Sequence, residues 1–369
     1  MKAILLAAFA IAALGCLSAA DRIESSTFVA THPTRFLPLP TDRAKTLKVF
    51  EENVYGRRPS LEGFRRTAKV VAVREIPELN AVRKDVLLNT FTPRGVTNFV
   101  AVCYVPKSAK PVPAFVKICL RPVTDYAKDP YSMELYRKTD YPRVPLAEVL
   151  GRGFAVMMFH YGSVFPDSVS SFDGIDRPSD GWGAISTWAL AASRCLDWLE
   201  KEKLVDASRV AVIGHSRGGK TAIWAGVTDT RFAMVISNDS GCSGARMNAV
   251  ISKPCEKIAD ITKVFPHWFA PNYRARWAGK EAELPFDNHQ LLALVAPRLL
   301  AVGSAIDDSW ACPQGEETSV RFASRAWDDP LAVHYHCRDG MHTLTPEDWA
   351  QYLDFAAFTG VQTALPQAR

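Results

Sequence analysis

Four short runs, Ala68–Val73, Asp85–Phe91, Phe99–Val105 and Ala114–Leu120, follow one another with no helical period between them. They predict strands paired antiparallel at one edge of a sheet. From Leu146 onward the pattern changes. Phe154–Phe159 is a continuous apolar run, and Ala184–Lys203 sets Ile185, Trp188, Ala192, Cys195, Leu196 and Leu199 on one helical face. Runs at Val210–Gly214, Ala233–Ser237, Arg298–Val302 and Ala332–His336 recur at wide intervals, the spacing of parallel strands joined by crossover helices. Glu347–Phe358 reads as a closing helix, with Thr345 as its N-cap and Pro346 at its first position. Ahead of the strands, residues 21–65 are irregular apart from one short helix around Thr41–Asn53. Residues 241–284 form a long inserted loop, rich in aromatics (Phe265, Trp268, Phe269, Tyr273, Trp277), of the kind that usually serves a site. The expectation is one three-layer α/β domain over residues 21–369, its mostly parallel central sheet carrying an antiparallel N-terminal edge.

The first twenty residues stand apart. Met1-Lys2, an apolar run from Ala3 to Leu17 and Ser18-Ala19-Ala20 before Asp21 describe a secretory signal peptide cleaved after Ala20. Export to the periplasm or medium is expected. A lipoprotein site at Cys16 is a poorer match, and no later run is long enough to insert stably in a membrane. Of the eight cysteines, seven follow the leader, an odd number that leaves at least one unpaired. Cys103 and Cys119 lie in apolar strands and read as small buried hydrophobes. No C-x-x-C, H-E-x-x-H or Cys/His cluster is present, so neither a metal nor another cofactor is expected. The chain has 44 Lys and Arg against 39 Asp and Glu, a net charge of +5 without basic runs, which argues against a nucleic-acid partner.

The chemistry concentrates in Val210–Thr221. Gly214-His215-Ser216-Arg217-Gly218 is a G-x-S-x-G directly after a strand and at the start of a helix, the spacing of a nucleophile elbow. Glycines on both sides let strand and helix backbones approach, and the helix N-terminus favours the oxyanion formed when Ser216 attacks a carbonyl. The same letters also spell a P-loop, Gly214-x-x-x-x-Gly219-Lys220-Thr221, a rival reading as a nucleotide-binding protein. An elbow serine needs a later histidine and an acid. His342, in the glycine-containing loop Asp339–Thr343 between the last strand and last helix, is the expected base. Asp308 and Asp239, each following a strand, are both candidates for the acid.

Further segments carry a resemblance. Val54-Tyr-Gly-Arg-Arg-Pro59, Gly214–Lys220, Asp229-Thr-Arg-Phe232, Ser237–Cys242, Phe265-Pro-His-Trp-Phe269 and Leu284–His289 appear in that order. Ala296-Pro-Arg298, Trp310 with Pro313-x-Gly-Glu316, and Gly340-x-His342 with Asp348-Trp349 complete the set. With these pieces the chain resembles the glucuronoyl esterases, carbohydrate esterase family 15, and their bacterial branch in particular. The resemblance implies an α/β-hydrolase, and with the leader and the missing metal motifs the expectation is an exported, cofactor-free monomer. Its activity would be that of a serine esterase on esters of glucuronic or 4-O-methylglucuronic acid, such as the lignin–carbohydrate esters of glucuronoxylan. By position, it makes Ser216 the nucleophile, His342 the base and Arg217 an oxyanion group. Lys220, Glu256 and Trp310 would then contact the sugar. The family acid usually falls in the segment matching Ser237–Gly241, often as Glu, which ranks Asp239 slightly ahead of Asp308. The segments Phe115–Pro122 and 243–255 depart from the family pattern. Alternatives are an acetylxylan or other carbohydrate ester hydrolase on the same scaffold, and a non-catalytic carbohydrate binder.

Overall fold

The computed structural model describes residues 37–58, 62–92, 95–123, 144–250 and 255–360. The expected leader and its cleavage site, with Cys16, lie outside these. Nine strands form one sheet: β1 (Arg66–Ile76), β2 (Ala81–Thr92), β3 (Gly95–Pro106), β4 (Val112–Cys119), β5 (Ala155–His160), β6 (Val205–His215), β7 (Met234–Asn238), β8 (Leu299–Ala305) and β9 (Val333–Arg338). Their order across the sheet is β1-β2-β3-β5-β4-β6-β7-β8-β9. β1, β2, β3 and β5 pair antiparallel, and every pairing from β5 through β4 to β9 is parallel.

The expectation for the fourth run is corrected here. Ala114–Leu120 does not join the antiparallel edge; β4 lies between β5 and β6 and is parallel to both. Its residues are buried on both faces, as a central parallel strand requires. β1 by contrast is an edge strand that leaves Val70, Val71 and Val73 exposed.

Nine helices are used below: α1 (Arg43–Phe50), α2 (Leu146–Gly151), α3 (Ala184–Leu199), α4 (Arg217–Thr228), α5 (Ile258–Val264), α6 (Pro271–Trp277), α7 (Asn288–Ala293), α8 (Pro313–Ala323) and α9 (Pro346–Gly360). One face of the sheet is covered by α3, α4 and α7, with Trp188, Trp224 and Leu292 in a shared core. The other is covered by α2 and α9, with Leu150, Trp349 and Leu353. This is the expected three-layer arrangement, an α/β-hydrolase fold. Cys103 and Cys119 are buried in strands as read. The start of α9 forms a reciprocal cap: Asp348 N donates to Thr345 Oγ1, and Thr345 N donates to the Asp348 carboxylate. Among the described residues no helix is long and apolar enough to cross a membrane.

Candidate active site

Ser216 sits between the end of β6 and the start of α4, at φ +59° and ψ −124°. A non-glycine residue there is strained by about 1–3 kcal/mol, a cost tolerated where geometry serves chemistry. Packing enforces it. A Cβ on Gly214 would stand 1.9 Å from the carbonyl oxygen of Gly218, and one on Gly219 would stand 2.9 Å from Ser240 Cβ. Strand and helix therefore touch backbone to backbone, and the serine side chain is pushed out of the turn. As the first residue of α4, Arg217 has no carbonyl a turn behind it to accept its N–H. That amide and the helix dipole favour negative charge at this end.

His342 meets the serine from the loop after β9. Ser216 Oγ lies 2.9 Å from His342 Nε2, and Asp308 Oδ2 lies 2.5 Å from His342 Nδ1. A carboxylate can only accept, so the imidazole proton sits on Nδ1 and leaves Nε2 to accept from the serine hydroxyl. The loops after β8 and β9 are themselves bonded together: Ile306 N donates to Arg338 O and Asp307 N to Gly340 O. That adjacency delivers Asp308 to His342.

The ranking that favours Asp239 is therefore corrected: Asp308, not Asp239, reaches His342. Asp239 follows β7, one strand further off, at φ +45°. Its carboxyl is fully buried, 3.5 Å from the Arg338 guanidinium and 3.7 Å from His215 Nδ1, and neither oxygen makes a hydrogen bond among the described residues. Burial, reinforced by the nearby Glu316 and Asp308, drives its pKa well above the usual carboxylate range against the pull of Arg338. His215, with its ring 4.6 Å from that of His342, bonds through Nδ1 to Asn238 Oδ1. His215, Asp239 and His342 bring ligand-type atoms within 4.8 Å of one another. The donor set does not suit a metal, because both nitrogens of His342 are engaged and Arg338 already supplies the cation beside Asp239.

Two supporting residues escape the sequence reading. Arg338, buried at the end of β9, donates to the carbonyls of Asp339, Met341 and Thr343 and to the Asp348 carboxylate. One side chain thus holds both flanks of His342. Asp167, in the loop after β5, accepts from His267 Nε2 and Trp268 Nε1 at 2.7 Å each, from Tyr161 Oη at 2.9 Å, and from Arg217. Burial alone would raise the Asp167 carboxyl, but the bonds from His267 and Trp268 and the charge of Arg217 hold it well below the ordinary range. The Arg217 guanidinium also lies 4.7 Å from the Trp268 ring and 5.2 Å from that of Phe265. No motif in Phe165-Pro-Asp-Ser168 signals this role for Asp167, and Arg338 is one arginine among many in the sequence.

The other three candidates lie close by. Lys220 is buried on α4, its Nζ donating to Ser240 O and lying 5.8 Å from the Trp268 ring. Burial lowers its pKa, opposed by the charge of Glu256. Burial raises the pKa of Glu256, opposed by Lys220 and by a hydrogen bond with the Trp310 side chain. Glu256 N also donates to Trp310 O at 3.0 Å, and the Trp310 ring is half exposed. A disulfide, Cys255–Cys312, ties the Glu256 segment to the loop that carries Asp308 and Trp310.

The P-loop reading fails on this geometry. A phosphate cradle needs a wide loop of inward amides, whereas Gly214 here packs against the Gly218 carbonyl. Lys220 and Thr221 are spent on Ser240 O and Arg217 O.

The family described as glucuronyl esterase, fungi, matches residues 153–329. A carbohydrate esterase named MZ0003, from an unknown prokaryotic organism, is 36% identical over 251 residues, 60% of this chain and 57% of the relative. The 4-O-methyl-glucuronoyl methylesterase of Podospora anserina is 32% identical over 154 residues, 40% of this chain and 32% of the relative. The chain thus spans between a third and somewhat over half of the length of these curated relatives. A solved glucuronoyl esterase from Solibacter usitatus superimposes with a TM-score of 0.75 at 30% identity, covering 89% of this chain and 99% of that one.

Proposed function

The chain belongs to the glucuronoyl esterases, carbohydrate esterase family 15, and from that premise we propose that it hydrolyses esters of glucuronic or 4-O-methylglucuronic acid through a Ser216–His342–Asp308 triad. The observation that carries the reading is the unbroken hydrogen-bonded chain from the strained elbow serine to a buried carboxylate. His342 takes the serine proton as Oγ attacks the ester carbonyl. The oxyanion forms at the N-terminus of α4, against the Arg217 amide and within reach of the guanidinium that Asp167 steadies. His342 then protonates the departing alcohol, and water, activated by the same imidazole, releases the uronic acid from the acyl-enzyme.

Substrate choice is assigned to Lys220, Glu256 and Trp310. A buried lysine and glutamate give charged hydrogen bonds to sugar hydroxyls, and the exposed indole face packs on a pyranose. Esters joining glucuronoxylan side chains to lignin alcohols are the proposed natural target. All of these groups come from one chain, so a monomer suffices. The Cys255–Cys312 disulfide and the leader-like first twenty residues support an exported enzyme.

Hydrolysis of benzyl glucuronate by the mature protein tests the reading, with methyl galacturonate and acetylated xylan as controls. The expected result is preferential cleavage of the glucuronate ester, reduced about 10⁴-fold or more in Ser216→Ala. Acetate release with the glucuronate untouched contradicts the proposed substrate.

A further inference from the structure

A cavity of about 290 Å³ lies between the turn Val169–Phe172 and helices α5 and α6, and none of Ser216, Asp308 and His342 lines it. Its floor is apolar, with Phe172, Pro266 and Phe269. Its ionisable groups are Arg177, Arg274 and His267, and no carboxylate is among its lining residues.

Neither guanidinium is neutralised. Arg177 lies 3.4 Å over the centre of the Phe172 ring and donates from Nη1 to Trp182 O. Arg274 uses Nη1 on Ala259 O and Thr262 Oγ1. Among the described residues the remaining N–H groups of both have no partner, and no carboxylate pairs with either. His267 donates from Nε2 to Asp167, and its Nδ1 is buried without a hydrogen-bond partner among the described residues. Buried polar atoms are ordinarily satisfied, so this ring nitrogen beside two cations that no carboxylate pairs marks a place for a ligand.

We propose that this cavity binds a hydroxylated ring carboxylate. Arg177 and Arg274 take the carboxylate, whose planar pair of oxygens suits guanidinium donors. A ligand hydroxyl hydrogen-bonds with His267 Nδ1, and the ring rests on Pro266 and Phe269. A free uronic acid unit of a polysaccharide and a phenolic acid share this chemistry. Its lining includes none of Ser216, Arg217, Asp308 or His342, and His267 connects to Arg217 only through Asp167, so the cavity is assigned to a second unit and not to the ester being cleaved.

Isothermal titration with D-glucuronate and with 4-hydroxybenzoate tests the proposal, using methyl glucoside as a ligand without a carboxylate. Titrating Lys220→Ala protein removes the contribution of the proposed acyl site, and Arg274→Ala and Arg177→Gln/Arg274→Ala are then added to that background. Binding of one of the acids is expected to weaken about 10-fold or more with each arginine lost, the value of a charged hydrogen bond, while methyl glucoside fails to bind. The acid that shows this loss identifies the source. If Lys220→Ala does not fold, the difference between wild type and Arg274→Ala, an exposed helix position, carries the same information. Carboxylate affinity indifferent to both arginines, or no carboxylate binding, overturns the proposal.

Discussion

Asp239 shows what one methylene and one strand position decide. It follows a strand end, as an acid of this fold should, yet its carboxyl stops against His215 and Arg338 while Asp308 closes on His342. Its folded pKa is raised, chiefly by burial, so it contributes stability that is fully present below its unfolded value of about 3.9. That contribution is lost as pH rises through the folded value. Asp239→Asn keeps the shape and removes the titration. Denaturation at a series of pH values is expected to show the variant gaining on wild type from about pH 4 upward, with the advantage level once pH passes the raised pKa. A difference that stays constant with pH contradicts a carboxyl whose pKa burial raises. Residue spelling alone could not separate the two aspartates, because the bonds between the loops after β8 and β9 exist only in the fold.

At the scale of elements, the β6–turn–α4 unit was legible because its chemistry is local: a strand, two flanking glycines and a serine within a few residues. The closing helix is legible for the same reason, from Thr345 and Pro346; the reciprocal bond from Asp348 is visible only in the fold. β4 was misread because burial on both faces, not its neighbours in sequence, decides its partners. The loop that presents His342 depends on a residue with no motif at all. Arg338 binds three loop carbonyls and neutralises Asp348, whose carboxyl burial would otherwise raise and which His336 and Arg338 together hold below the usual range. Arg338→Lys keeps a charge but loses the planar fork. Loss of most activity is expected, with destabilisation of about 1–3 kcal/mol as the loop carbonyls lose their donors. Chemical denaturation and ester turnover measured on the same preparation check this. Unchanged turnover would remove Arg338 from the account.

For the whole molecule, the sheet brings together groups from five stretches of sequence: Asp167, Ser216–Lys220, Glu256, Asp308–Trp310 and His342. Long-range closure of this kind leaves little trace in sequence pattern, which is why Asp167 went unread. Among the described residues the disulfide is the one covalent link across it, spanning 57 residues of chain. Closing a loop of that length limits the unfolded ensemble by about 4 kcal/mol in the chain-entropy account. Reduction, or Cys255→Ser/Cys312→Ser, is expected to lower the melting temperature by several degrees. It should also raise KM for the glucuronate ester more than it lowers kcat, because Glu256 and Trp310 lose their shared anchor. An unchanged KM would separate the disulfide from the sugar site.

The central claim is that the triad closes on Asp308 and cleaves a glucuronate ester. Its most direct test is kcat/KM on benzyl glucuronate for wild type, Asp308→Asn and Asp239→Asn. A fall of about 10³–10⁴-fold is predicted for Asp308→Asn, with Asp239→Asn staying within a few-fold of wild type. The reverse order, with Asp239→Asn collapsing and Asp308→Asn active, would contradict the account.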